Sequence, residues 1–434
     1  MTVNDAAILR HAATGRSRGR SAADAVARRV VVEAASRGTG GVIELTEGSR
    51  TRCLGSGDLS ARVTVSDAAA FSAILRSGSV GLGASYVAGW WECDDLTTLV
   101  RILYRFTHPM RARLDRLGRA WAGVIDLPTR LFPPGPDDDK RNVSDHYDLS
   151  NDFFALMLDP TMTYSCAVFD PPGSDLLDAQ ITKIDRLCAK LELTAGEHLV
   201  EIGSGWGGLA VHAARHYGVR VTTTTVSDAQ RAYVEKRVAE AGLTDRITVR
   251  GDDWRDLRGR YDKLVSVEMI EAVDWRHHDQ FLAACSDLLT DGGRAAIQAI
   301  VIDDRSFERA KRHQDFVRRM VFPGGCLPSV ASLTASLARS TDFRLAGLED
   351  IGGYYPQTLR SWAENLHRHA DGVQALKVGE EFLRLWALYL AYCEASFTEG
   401  HISVVHLVLD RPGRAGAGQP PAAPSPSEVI TSTS

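Results

Sequence analysis

Apolar runs alternate with amphipathic stretches through the middle of the chain. Strand-like runs occur at residues 198–203, 219–226, 247–251, 264–269 and 294–300, and segments with helical periodicity lie between them at 209–217, 228–242 and 278–289. Such alternation is typical of parallel strands joined by right-handed helical crossovers. The pattern predicts an α/β fold with a doubly wound sheet.

The rhythm changes after residue 300. A long segment with helical periodicity, which includes Leu359, Trp362 and Leu366, precedes a final strand at 402–409. We expect this segment to form a helical cap inserted into the sheet domain. Within it, residues 382–393 are apolar nearly all round, which is typical of a buried helix. That helix either lines an acyl pocket or belongs to the core.

The N-terminal third has a different pattern. Residues 41–135 mix short apolar runs with a region at 68–106 that suggests helices, so we expect a smaller N-terminal mixed α+β domain. Residues 131–140 contain three prolines, one glycine and three aspartates, which suits a linker to a second domain at 140–411. The arginine-rich residues 1–40 predict a basic, partly disordered leader, and the composition of 412–434 predicts a disordered tail.

Composition narrows the class of protein. With 44% hydrophobic and 24% charged residues and a net charge of -5, the chain is globular and has no overall attraction to nucleic acid, so none is expected as a partner. Seven cysteines without paired spacing argue against disulfides or zinc and fit a reducing cytoplasm. No uncharged apolar stretch approaches the roughly 20 residues that span a bilayer. The adjacent His277 and His278 point apart on a helix, so no metal site is expected.

A glycine-rich loop offers a binding site for a cofactor. Gly203, Gly205 and Gly208 have G-x-G-x-x-G spacing between a predicted strand and a predicted helix. This motif alone leaves a nicotinamide dinucleotide, S-adenosylmethionine or a tight turn without ligand open. The acid that a nicotinamide ribose requires is missing after the second strand, which ends in the threonines 222–225. Glu201 would attract an ammonium group and repel a pyrophosphate.

Several segments together resemble the cyclopropane fatty acid synthase family, which includes mycolic acid synthases and tuberculostearic-type fatty acid methyltransferases. They are residues 146–154, 162–169, the glycine loop, 266–273, 322–329 and 389–393. The resemblance covers residues 140–411 well, and residues 81–99 resemble the N-terminal domain of longer bacterial members. It implies a class I S-adenosylmethionine-dependent methyltransferase domain with helical cap insertions.

The resemblance and the loop together predict the cofactor site. Trp254 is expected to stack on adenine, and its alternative is a core tryptophan. The predicted contacts of S-adenosylmethionine are Tyr164, Ser165, Glu201, Gly203, Gly205, Gly207, Thr225, Gln230, Trp254 and Arg255.

The resemblance also implies the chemistry. An isolated alkene is a poor nucleophile, so the enzyme must hold it against the sulfonium methyl in a dry pocket. Methyl transfer leaves a carbocation, which aromatic faces stabilise. A base then removes a proton. In the family this base is a bound bicarbonate, and its position is matched here by Cys166, Glu271, Gln298, Ile300 and Tyr355. Cys393 resembles a second family cysteine. The alternatives are a solvated loop carboxylate for Glu271 and small buried hydrophobic roles for the cysteines.

Two departures from the family bear on the product. Gln298 and Ala272 stand where cyclopropane synthases usually have histidines, and an amide does not exchange protons as an imidazole does. Gln298 resembles the methylene-forming, 10-methyl-branch relatives. The resemblance therefore implies methyl transfer to an oleoyl-type phospholipid chain that yields a 10-methylene or methyl-branched product. The alternatives are a cyclopropane product, a small polar substrate, or a lipid-binding protein without catalysis.

The expected setting follows from that substrate. The protein would be cytoplasmic and would associate peripherally with the inner face of the membrane, where unsaturated phospholipid chains are its partners. A second copy of the chain in a homodimer and a reductase that acts on a methylene product are the other expected partners.

Overall fold

The structure is a computed structural model that describes residues 22–107, 151–312 and 314–413. The first half of the predicted leader, the predicted linker, residues 146–150 of the segment 146–154 and nearly all of the predicted tail lie outside the described residues.

A three-stranded antiparallel sheet, in the order β1-β2-β3, forms the centre of the N-terminal region. Its elements are α1 (Ala22–Ser36), β1 (Thr39–Glu47), β2 (Arg50–Val65), α2 (Ala69–Val87) and β3 (Trp91–Cys93), followed by helical residues 96–107. Helix α1 lies inside the stretch predicted as a leader. It is tied to the sheet because Arg28 pairs with Glu47, and to α2 because Ser72 donates to Asp24.

The larger sheet has seven strands in the order β6-β5-β4-β7-β8-β10-β9. Strands β4 to β8 are parallel, whereas β10 runs antiparallel to both β8 and β9. The strands are β4 (His198–Ile202), β5 (Arg220–Thr224), β6 (Ile247–Arg250), β7 (Tyr261–Val267), β8 (Leu289–Ile302), β9 (Arg344–Asp350) and β10 (Ile402–Asp410). The predicted doubly wound α/β fold is confirmed.

Helices cover this sheet and build the cap. Those along the sheet domain are α3 (Asn151–Met157), α4 (Leu176–Lys190), α5 (Gly208–His212), which continues as a π-helical turn at Ala213–Tyr217, α6 (Asp228–Glu240) and α7 (His278–Leu288). After β8 follow α8 (Phe307–Ala310), α9 (Phe316–Met320), α10 (Val330–Ser340), α11 (Tyr355–Arg368), α12 (Ala370–Ala375) and α13 (Glu380–Thr398). Single 3₁₀ turns lie at Ile270–Ala272, Trp275–His277 and Gly352–Tyr354.

Strand β9 corrects the sequence prediction, which assigned its residues to an uninterrupted helical segment. Among the residues that the structure describes, it is an edge strand that pairs with β10 alone, and both Leu345 and Leu348 are exposed. A short edge strand lacks the buried apolar alternation that marks a strand in a sequence. Only the pairing with β10 defines it.

Helix α13 joins the N-terminal region to the sheet domain. The Tyr104 hydroxyl lies 2.7 Å from the Ser396 hydroxyl, and Arg101 and Arg105 both pair with Glu399 at the end of α13. One continuous hydrophobic cluster contains Ile102 from the N-terminal region and residues of α13. The apolar helix predicted at 382–393 therefore belongs to a core that the two regions share.

Among the helices that the structure describes, none is long and apolar enough to cross a membrane.

Substitution Ile102→Ala tests this shared core. Ile102 is fully buried against Gly41 and within the common cluster. The loss of its buried side-chain atoms is therefore expected to lower the free energy of unfolding by about 2–5 kcal/mol. Both regions should lose stability in one transition, measured by denaturant unfolding with tryptophan fluorescence and circular dichroism. The control Leu75→Ala, at a side chain that is 50% exposed, should change little. Two separate transitions, with only one shifted, would contradict the shared core.

Candidate active site

The glycine loop follows β4 and leads into α5. Gly203, Gly205 and Gly207 have φ values of +94°, +48° and +81°, a left-handed region that suits glycine. A Cβ at Gly203 would lie 3.2 Å from Met269, so the loop also runs close to the segment after β7. The Ser204 amide donates to the Thr224 carbonyl, which holds the loop against β5. The loop is thus shaped so that a ligand can approach its backbone closely.

Charged side chains are buried below this loop. Glu201, the fourth residue of β4, is buried and accepts a hydrogen bond from Thr223, and burial raises its pKa to about 8. Lys183 of α4 is only 1% exposed and donates to the Ser165 hydroxyl over 2.8 Å. Burial lowers the pKa of Lys183 to about 8, against the attraction of Glu268 and other carboxylates nearby. A cationic ligand group beside Glu201 would favour the ionised form of its carboxyl group and so lower this raised pKa.

The remaining residues predicted to bind the cofactor are spread around the loop. The Thr225 hydroxyl donates to the Gln230 side chain over 2.8 Å, just beyond β5. Trp254 packs edge-on against Phe281, and the Arg255 guanidinium lies 5.0 Å from the centre of the indole ring. Its stacking on adenine remains a prediction.

Tyr164 approaches from the other side of the site. Its ring packs on Trp362, with ring centres 5.0 Å apart. Its hydroxyl lies 2.9 Å from the hydroxyl of Tyr389 on α13, so the cap helix reaches the segment that carries the predicted cofactor contacts.

Sequence reasoning missed the residue at the centre of the site, Glu268. It directly follows β7 and has a φ of +48°, which is uncommon for a residue with a side chain. Its Oε1 accepts hydrogen bonds from the Cys166 amide at 2.9 Å and from the Gln298 side chain at 2.8 Å, and its Oε2 accepts from the Tyr355 hydroxyl at 2.6 Å. The site therefore contains a fixed protein carboxylate.

Burial and hydrogen bonding act on Glu268 in opposite directions. Burial raises the pKa of its carboxyl group, whereas Tyr355, Cys166, Gln298 and the charge of Lys183 lower it. A non-glycine residue in a left-handed conformation costs about 1–3 kcal/mol and persists only where its surroundings impose it. Three donors from separate parts of the chain impose it here.

Glu271 lies one turn beyond Glu268. Its Oε1 accepts a hydrogen bond from the Ile300 amide, and its buried Oε2 has no hydrogen-bond partner among the described residues. Burial, together with the nearby charge of Glu268, raises the pKa of Glu271 to about 8. The environment of Glu271 thus favours the protonated form of its carboxyl group.

The structure brings most of the predicted catalytic residues together. Tyr355, rather than its neighbour Tyr354, binds the carboxylate of Glu268. Cys166 contributes its backbone, and burial raises the pKa of its thiol well above the usual range. Cys393 lies half-buried on α13, and in the described part of the chain it is not in the hydrogen-bonded cluster around Glu268. Neither thiol has the lowered pKa of a nucleophile.

The two residues that sequence reasoning missed, Glu268 and Lys183, differ in whether the sequence carries a signal for them. Glu268 stands at the carboxyl end of a predicted strand, the edge where open α/β sheets bind ligands, so it could have been found. Lys183 sits on an amphipathic helix, where a lysine usually marks a solvated face, and no sequence signal distinguished it. Within the described ranges, no three His, Cys, Asp or Glu side chains are grouped to hold a metal ion.

Comparisons with known proteins identify the family of the chain. The family model described as mycolic acid cyclopropane synthetase matches residues 136–407. The tuberculostearic acid methyltransferase UfaA1 of Mycobacterium tuberculosis is 38% identical over 78% of this chain and 81% of its own. The cyclopropane-fatty-acyl-phospholipid synthase of Escherichia coli K12 is 32% identical over 82% of this chain and 89% of its own.

Solved structures show the same fold. The cyclopropane synthase MmaA2 from Mycobacterium tuberculosis superposes with a TM-score of 0.58 and 31% identity over 62% of this chain and 98% of that one. The mycolic acid cyclopropane synthase CmaA1, solved with SAH and CTAB, gives a TM-score of 0.58 at 30% identity over 62% of this chain and 98% of its own. The chain therefore belongs to the mycolic acid cyclopropane synthetase family and is a fatty acyl methyltransferase that uses S-adenosylmethionine.

Proposed function

We propose that this enzyme methylates the double bond of an oleoyl chain in a phospholipid and yields a 10-methylene product, which a separate reductase converts to a 10-methyl branch. The relative with 38% identity is a tuberculostearic acid methyltransferase, and the E. coli relative acts, by its name, on fatty acyl phospholipid. The membrane surface supplies the substrate. A homodimer remains part of the proposal.

The observation that carries the mechanism is the position of the Glu268 carboxylate. It accepts hydrogen bonds from the Cys166 amide, the Gln298 side-chain amide and the Tyr355 hydroxyl. These are three of the five residues that were expected to hold a bicarbonate. The other two bind each other, since the Ile300 amide donates to Glu271. A second anion beside Glu268 would find its donors taken and would add a buried like charge. The donor set does not fit a resident bicarbonate, so Glu268 is the base.

The residues then act in a simple order. S-adenosylmethionine supplies the methyl group, whose carbon bonds to the π electrons of the alkene as its bond to sulfur breaks, leaving a cation on the chain. Tyr164 and Trp362 contribute aromatic faces near the reacting centre, and the carboxylate of Glu268 offsets the positive charge. Glu268 then accepts a proton from the transferred methyl group.

The timing of that proton transfer decides the product. If a hydride first shifts along the chain, loss of the methyl proton leaves an exocyclic methylene; if it does not, the released electron pair closes a cyclopropane ring. Gln298 binds the base but exchanges no proton itself. We infer that proton removal waits for the hydride shift, which favours the methylene.

The product test uses purified enzyme, oleoyl phospholipid vesicles and S-adenosylmethionine. We expect fatty esters that gain one CH₂ unit by mass spectrometry and show exocyclic methylene protons by NMR. Ring protons of a cyclopropane would overturn the product proposal while leaving the methyl transfer intact. Unchanged acyl chains, with active E. coli synthase as the control, would overturn the substrate proposal.

Substitution Glu268→Gln tests the base. It removes the proton acceptor but keeps the size of the side chain, so turnover should fall by about 100-fold or more, while binding of S-adenosylhomocysteine is retained. The control is Glu235→Gln, the same change on the exposed face of α6. In the unsubstituted enzyme, a base with a pKa raised above 4.5 is active when ionised. The value of kcat/KM should therefore fall as pH drops through that pKa, and a rate that is independent of Glu268 would refute the role.

Removal of bicarbonate separates the two bases. Assays in degassed buffer under argon should proceed at the same rate as assays with added bicarbonate, because Glu268 supplies the carboxylate. The E. coli synthase measured in parallel shows whether the depletion was effective. A rate that drops on depletion and recovers with bicarbonate would contradict the assignment.

A further inference from the structure

A row of polar side chains crosses four neighbouring strands and ends at Glu268. The Glu268 amide donates to the Gln298 carbonyl, Gln298 lies directly opposite His406 in the β8–β10 pair, and His406 lies opposite Glu349 in the β10–β9 pair. Gln298 and His406 are both fully buried. Lys190, the last residue of α4, reaches the row from above the sheet. Gln298, which binds the base, is thus connected to the edge of the sheet by His406 and Glu349, which take no part in the steps of methyl transfer.

The hydrogen bonds along this row run in one direction. The Lys190 ammonium has only donors and lies 2.6 Å from Nδ1 of His406, so that nitrogen accepts and the ring proton sits on Nε2. Nε2 of His406 lies 2.9 Å from Oε1 of Gln298 and donates to it. Nε2 of Gln298 then donates to Glu268 and, over 3.4 Å, to the Cys166 carbonyl.

This direction has a consequence for Gln298. The two ends of a side-chain amide have nearly the same shape, so packing alone does not decide which end faces the base. With the amide reversed, its oxygen would face the carboxylate of Glu268 and its NH₂ group would face His406. The carboxylate would then lose a donor and be repelled by the amide oxygen.

We propose that His406 is a positioning residue that holds the amide of Gln298 with its NH₂ group toward Glu268, and that Lys190 fixes the ring tautomer that this requires. The inference rests on the proposed role of Glu268 as the base. Burial and the neighbouring cations lower the pKa of His406 to about 2, so the ring is neutral and keeps one donor and one acceptor. The row does not conduct protons, because the amide of Gln298 does not pass them on.

Lys190 itself is anchored from outside. It pairs with Glu349, which also accepts a hydrogen bond from Arg186 over 2.8 Å. This arrangement keeps the ammonium directed at His406, although the side chain of Glu349 is partly exposed. Without Lys190, the ring of His406 is free to move its proton to Nδ1, toward Glu349, and to present an acceptor to Gln298.

The experiment compares His406→Leu, His406→Gln and Lys190→Met in purified enzyme, using oleoyl vesicles and the pH dependence of kcat/KM. His406→Leu removes the hydrogen bond to the Gln298 oxygen, so kcat/KM should fall about tenfold or more. The acidic side of the pH profile of kcat/KM should move to higher pH, because Glu268 loses the hydrogen bond from the Gln298 amide. His406→Gln restores a donor and should recover most of the rate. Lys190→Met should shift the acidic side of the profile in the same direction by less, and Lys236→Met, the same change at an exposed site, should not.

A double substitution decides whether His406 acts through Gln298. In a Gln298→Met background, the further change His406→Leu should have no effect on rate or pH profile, because the amide is gone. An equal loss in both backgrounds, or a His406→Leu enzyme in which the acidic side of the pH profile does not shift, would overturn the proposal. If the His406→Leu enzyme does not bind S-adenosylhomocysteine, the Lys190→Met enzyme decides the test. An acidic side of its pH profile that does not shift would then overturn the proposal. If the unsubstituted enzyme forms no methylated product, the proposed function is contradicted and this inference is not.

Discussion

The site depends on the burial of one carboxylate. An ionised carboxylate is stable away from water only if nearly all its oxygen lone pairs are satisfied and an opposite charge is near. Glu268 meets both requirements, because the Cys166 amide, the Gln298 amide and the Tyr355 hydroxyl donate to it and Lys183 is close by. These groups come from the segment before α4, from β8, from the start of α11 and from α4. Much of the architecture is thus needed to hold a single side chain.

The same constraint explains the cap. Helix α11 begins at Tyr355, which binds Glu268, and its Trp362 packs on Tyr164. Helix α13 adds Tyr389, whose hydroxyl lies against that of Tyr164. The cap therefore places aromatic rings beside the residues that surround Glu268. In the proposed mechanism these rings supply the π faces that stabilise the cation.

The carboxyl pair divides two tasks between similar side chains. Burial raises the pKa of both carboxyl groups, but at Glu268 three donors oppose that shift. Glu271 has one backbone donor and a like charge beside it, and burial together with that charge raises its pKa to about 8. In the proposed mechanism Glu268 is the base, while its neighbour Glu271 favours the protonated form. Different environments, rather than different residue types, separate the two roles.

The row from Glu268 to Glu349 and the core shared with the N-terminal region are both products of long-range pairing. Gln298 and His406 are 108 positions apart in sequence and become neighbours only because β8 and β10 pair antiparallel. Ile102 and α13 meet in the same way. No local pattern in the chain describes either relationship.

The sequence by itself determined the parallel α/β order, the glycine loop after β4 and the family, because these depend on periodicity and on short local motifs. It also marked Gln298, Tyr355 and Cys166 as residues of one site, although for a bound ion rather than for Glu268. It did not show β9, whose pairing with β10 is the only feature that makes it a strand, or the direction of the Gln298 amide. Only the tertiary structure decided these, because strand register and the burial of Glu268 are set by contacts between residues that are far apart in the chain.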